Sequence, residues 1–257
     1  MDSTTRIYGL GLGLGLGLVP LIAIAEPSGF TTEFPVEDCR FSTFGNNPFC
    51  ALQPGRQAYF SNQRCVAAGD CDELEELWIT VLDEEKGVRI QDDGERRWIS
   101  TRVVEEVETV DGELVEISRN FFAECRGTQD VYYFGEKVDI YEDGEIVSHE
   151  GAWLAGRNGA EPGIIMPGGA FLLGARYHQE IAPGVALDRA EHAADDLEVQ
   201  VPAGAFDDCV AIEETTPLEP GSRSTKTYCP GVGLVLDGEE MELISVFKRR
   251  EGGFPPD

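Results

Sequence analysis

Arg102-Val103-Val104-Glu105-Glu106-Val107-Glu108-Thr109-Val110, then Asp111-Gly112, then Glu113-Leu114-Val115-Glu116-Ile117-Ser118-Arg119-Asn120-Phe121 is the stretch that decides the fold. Asp-Gly supplies the positive backbone angles of a tight hairpin turn, and the flanking arms are rich in strand-forming residues. Alternation in the second arm puts Val115, Ile117 and Phe121 on one face. The same punctuation recurs at Asp93-Gly94, Asp143-Gly144, Pro220-Gly221 and Asp237-Gly238. Consecutive hairpins follow, and with them an all-β fold: a single curved antiparallel sheet or incomplete barrel with few short helices. No alternating helical segments of the kind a parallel sheet needs are present.

Outward from that hairpin the pattern holds from residue 56 to 250, the span expected for the β domain. Leu74, Leu77, Trp78, Val81 and Leu82 carry a helical stripe, yet Trp78-Ile79-Thr80-Val81 favours a strand. The reading adopted is a helical turn at 72–75 leading into a strand at 76–83. Residues 156–174, rich in Gly and Pro, read as a long loop crossing one end of the sheet. Residues 26–55 hold four prolines and two cysteines without a period, an irregular segment stapled by disulfides. Residues 251–257 read as a flexible tail.

The first 25 residues have the form of an export signal: Arg6, an apolar run from Ile7 to Ile22, and the small-x-small site Ala23-Ile24-Ala25. The expected location is periplasmic or secreted, with no stable membrane insertion. Seven cysteines in the remainder fit that compartment. Cys39–Cys50 and Cys65–Cys71 are expected as local staples. Cys209–Cys229 is expected as a cross-strand bridge if the intervening turn centres on Glu219, and Cys125 is left free. A Cys125–Cys209 bond is the competing arrangement.

A formal net charge of −28 argues against nucleic acid as a partner, because phosphate contacts need cations. No nucleophile elbow and no second histidine beside His149-Glu150 occur, so neither a serine hydrolase nor a zinc helix is indicated. The acids around Asp143 lack calcium-loop spacing, and no metal or cofactor is expected. Phe121, Phe122, Tyr132, Tyr133, Phe134, Tyr141 and Trp153 fall on neighbouring strands. They form either core or the wall of an apolar groove for a lipid-like or other hydrophobic ligand. If a site exists, His149, Glu150, Trp153, Arg157, Tyr177 and Glu180 are its candidates, because they flank the 156–174 loop. Three functions remain: a non-catalytic binding or carrier protein, a carboxylate-dependent hydrolase, and a structural or interaction module of the envelope.

Several blocks carry a resemblance: Val131-Tyr132-Tyr133-Phe134-Gly135-Glu136, Ser148-His149-Glu150-Gly151-Ala152-Trp153 and Pro162-Gly163-Ile164-Ile165-Met166-Pro167. Further along come Gln179-Glu180-Ile181-Ala182-Pro183-Gly184-Val185-Ala186, the stretch from Glu213 to Gly221, and Tyr228-Cys229-Pro230-Gly231-Val232-Gly233-Leu234-Val235. With a weaker match from Asn47 to Tyr59, they resemble an uncharacterised family of exported bacterial β-rich proteins. The resemblance covers most of the chain after the signal and implies export; separately, Val201-Pro202-Ala203-Gly204-Ala205-Phe206, the turn at 216–221 and the strand at 230–235 are similar, at the level of fold alone, to the hairpin series of exported half-barrel proteins. It implies no activity, cofactor or catalytic residue.

Overall fold

The computed structural model describes residues 29–248 except Asp93, so the expected signal and tail lie outside the described residues. The chain forms β1 (Phe41–Ser42), β2 (Arg56–Ser61), α1 (Gln63–Ala68), β3 (Glu75–Asp92), β4 (Glu95–Val110), β5 (Glu113–Cys125) and β6 (Val131–Glu142). It continues through β7 (Glu145–Ser148), β8 (Trp153–Leu154), β9 (Glu161–Met166), β10 (Arg176–His178) and β11 (Glu180–Ile181). The last strands are β12 (Arg189–Val201), β13 (Gly204–Thr215), β14 (Arg223–Cys229), β15 (Gly233–Asp237) and β16 (Met241–Lys248). All sixteen join one antiparallel sheet, nearly closed as a barrel with one seam, as the hairpin series predicts.

The path around the wall is β10-β12-β13-β14-β15-β16-β2-β3-β4-β5-β6-β9-β11. Its first and last members are separated in sequence by Gln179 alone. One short run, 176–181, therefore pairs with β12 through its first half and with β9 through its second. Thr31 covers the outer edge of β10: its amide donates to the Arg176 carbonyl and its own carbonyl accepts from the His178 amide, each at 2.9 Å. At the seam β9 lies close beneath this run. A Cβ on Gly163 would stand 2.4 Å from the His178 carbonyl oxygen and 2.5 Å from that of Gln179.

The Asp111-Gly112 turn forms as read, with both residues at positive φ and Val110 facing Glu113. β3 starts one residue before the expected strand and runs on to Asp92. The helix is a correction: it occupies Gln63–Ala68, upstream of 72–75. Gly69 ends it in the left-handed conformation, and the Cys65–Cys71 disulfide ties it to the loop beyond. A second correction is the 156–174 loop, which contains β9. Residues 161–166 pair with β6 and β11, so Pro162 and Gly163 sit within a short strand at the seam.

Cys209 and Cys229 bond as expected. Val210 faces Tyr228 and Thr215 faces Arg223, which centres the hairpin on Glu219. The pairing Cys39–Cys50 is wrong. Cys39 bonds to Cys125, and Cys50 is the free thiol. The cause is β1, which pairs Phe41 with Cys125 and so lays the N-terminal segment against β5. Asn47 then turns the chain away from Cys39. Its amide donates to Glu124 Oε2, its Oδ1 accepts from the amides of Phe49 and Cys50, and its Nδ2 reaches the Gln129 and Pro167 carbonyls.

Three disulfides fit an oxidising, extracytoplasmic location. No helix among the described residues is long and apolar enough to cross a membrane.

Candidate functional site

The pleat separates two kinds of surface. On one side of β6, Tyr132 and Phe134 pack edge-on against Phe41 at 5.2 and 5.1 Å beneath the N-terminal segment. On the other, Tyr133 meets Phe122 at 5.0 Å and Trp153 at 5.1 Å. The aromatic run is thus divided between the two sides of the sheet and does not line one face.

The second side is the interior, where carboxyl groups stand beside apolar side chains: Glu108 pairs with Leu77, which pairs with Phe60 in a buried apolar cluster. Cross-strand pairs place Glu106 beside Ser118, Glu108 beside Glu116, Asn120 beside Glu136, and Glu136 beside Trp153. Paired residues project from the same face, so these side chains form adjoining rows. Glu106 and Lys226 are separated along the wall by β15, β16, β2 and β3. Burial raises Glu106 to about 7, and among charged groups the opposing pull of Lys226 is the strongest. Around Lys226, Glu214 Oε2 lies at 3.2 Å and Asp237 Oδ2 at 3.7 Å. Although burial works against its charge, these carboxylates hold Lys226 protonated well above the ordinary lysine value.

The same environment acts on the rest of the set. Burial, followed by the Glu116 carboxylate directly opposite, drives Glu108 well above the ordinary range. Burial raises Glu136 to about 8, and the nearby Tyr133 hydroxyl works against that rise. Burial also raises Asp188 to about 6, with Glu214 adding to the effect. Glu180, 1% exposed, is pushed up by burial and then by Asp188; its Oε1 accepts the Asp188 amide at 2.5 Å. Glu214 also accepts from Gln179 Nε2 at 2.8 Å, tying the seam to the interior. Glu106, Glu108, Glu116, Asp188, Glu214 and Asp237 remain half-buried.

Glu136 and Asp188 also reach the surface, in a cleft of about 390 Å³ walled by His149, Glu150, Gly151, Ala152, Gly184, Val185, Ala186, Thr216, Leu218 and Glu219. Of the candidates expected from sequence, His149 and Glu150 line this cleft. His149 Nδ1 lies 2.9 Å from the Val138 carbonyl and 2.8 Å from Asp139 Oδ1. Trp153 is buried beside Glu136, and Glu180 is buried against Asp188. Arg157 is exposed on the turn after β8, away from the cleft lining. Tyr177 is buried with its hydroxyl 3.3 Å from His192 Nε2 and takes no part in the cleft. The sequence reading missed Glu136, Asp188 and the interior acids. Glu106, Glu108 and Glu116 carried a usable signal, since acids repeating every second residue on paired arms must share a face. Their side of the sheet, however, was not marked.

No protein family, no curated protein and no solved structure matches this chain.

Proposed function

We propose that the chain is a periplasmic or secreted non-catalytic binding protein that takes a small amphipathic molecule through the cleft at Glu136 and Asp188. The observation behind this reading is the cleft's mixed wall. Val185 and Leu218, each 42% exposed, offer apolar surface beside two carboxyls whose environment favours taking up a donor or a cation. A hydrophobic body lies against the former and a polar head meets the latter. The three disulfides support the compartment.

Native mass spectrometry of protein from its own host is the first test, followed by thermal-shift titration with octylamine, octanol and octanoate. Octylamine is expected to raise the melting temperature most and octanoate least. The double variant Glu136→Gln, Asp188→Asn should weaken octylamine at least tenfold without lowering the melting temperature of the free protein. Ligand-free protein from the host that responds to none of the three probes would sink the proposal.

A second reading has its own observation. Glu136 near 8 and Asp188 near 6 share one cleft, the pattern of one protonated and one ionised carboxyl that acid–base hydrolysis uses. Release of nitrophenol from chromogenic glycosides or esters, abolished in Glu136→Gln, would favour it over carriage.

A further inference from the structure

Trp153 directly follows Gly151 and Ala152 of the cleft wall and carries a polar group with no partner. It is 6% exposed, and its Nε1–H meets no acceptor among the described residues. As the cross-strand partner of Glu136, it leaves the sheet on the same face, with its ring set edge-on against Tyr133. The tyrosine hydroxyl is committed to Asn120 Oδ1 at 2.6 Å. A buried donor without an acceptor is rare in native proteins and points to a missing partner. Glu136, its cross-strand partner, stands beside it, and Glu136 and Asp188 both line the cleft.

We propose that the inner end of the cleft takes an aliphatic amino alcohol, with its ammonium against Glu136 and Asp188 and its hydroxyl oxygen accepting from Trp153 Nε1. This rests on the reading of the cleft as a binding site and narrows the ligand class. An amine without an oxygen leaves the indole unanswered, whereas a diol without a charge leaves the carboxylates unpaired. Binding moves no covalent bond. Glu136 gives up its proton to solvent as the ammonium arrives, so uptake tightens as the pH rises from 6 towards 8.

Isothermal titration of the folded, disulfide-intact protein with 2-amino-1-octanol, octylamine and 1,2-octanediol tests this. The amino alcohol is expected to bind at least fivefold more tightly than octylamine and tenfold more tightly than the diol. Trp153→Phe, which keeps the ring and removes the donor, should erase the advantage over octylamine and leave octylamine itself unchanged. Should that variant fold poorly, the indole ¹⁵N–H resonance of Trp153 in the unaltered protein gives an independent reading. It should move with the amino alcohol and stay in place with octylamine. Equal binding of amino alcohol and octylamine, a diol that binds as well as either, or an indole signal indifferent to the hydroxyl would overturn the inference while leaving the cleft a binding site. If no eight-carbon probe binds, the cleft reading falls with it.

Discussion

Arg102 shows how much one side chain organises here. It is 1% exposed, and its guanidinium donates to the carbonyls of Thr43, Leu82 and Glu84 and to Thr43 Oγ1. Its ionic partners Asp83 and Glu85 are exposed, so those pairs contribute little. The bonds to enclosed carbonyls matter more, because an unanswered buried acceptor costs about 1–3 kcal/mol. Arg102→Leu is therefore expected to lower unfolding stability by about 3 kcal/mol or more in urea titrations, while Glu85→Gln changes it by less than about 1 kcal/mol. Equal losses in the two variants would contradict this. Nothing in the run Arg102-Val103-Val104 marks the arginine as buried, because its partners arrive from residues 43 and 82–84. Cys50 is a second case. Burial pushes its thiol up to about 12, so at pH 8 iodoacetamide should label it only after unfolding, while Cys39 and Cys125 appear in one linked peptide.

Among elements, the hairpins were legible and their surroundings were not. Asp-Gly turns and the Glu219-centred register are local facts, fixed by a few adjacent residues. The Cys39 partner, the position of β9 and the acid-lined side of β4–β6 depend on what packs against each segment from far along the chain. Alternation assigns side chains to two faces but does not name the inner one; here the row of Glu106, Glu108 and Glu116 faces the interior. The Cys39–Cys125 bond closes a separation of 86 residues, so its loss should cost about 4–5 kcal/mol in the chain-entropy account, more than either shorter bridge. The seam has its own weak point at Gly163, where a methyl group would meet two backbone carbonyls that cannot rotate aside. Gly163→Ala is expected to cost about 1–3 kcal/mol. It should also speed amide exchange over 176–181 more than over β4–β5, and uniform acceleration would argue against a local seam.

At the scale of the whole molecule, the interior acids set the response to pH. Glu106, Glu108, Glu116, Glu136, Asp188 and Asp237 are all raised, chiefly by burial, so the folded protein holds more protons than the unfolded chain over this range. Their stabilisation is full below the unfolded carboxyl values near 4 and is lost as the pH climbs through about 6 to 8. His178 and His192, both lowered by burial, act in the opposite sense up to about 6.5 but are outnumbered. The urea midpoint should therefore fall between pH 5.5 and 9, and Glu108→Gln or Glu136→Gln should flatten that fall; a midpoint that rises would refute the account. The ring also imposes an order of events. β2 pairs with β16, so residues 56–61 wait for residues 242–248, nearly the whole length of the chain, before their outer edge is covered. A polypeptide emerging N-terminus first thus passes through a stage in which β2–β9 stand as an open ribbon with two bare margins, a form prone to stick to its copies. Mutual repulsion between chains this acidic, −28 over the full sequence, gives that unfinished ribbon time to find its own C-terminal strand. In refolding, aggregation should accordingly rise with salt at this slow closing step.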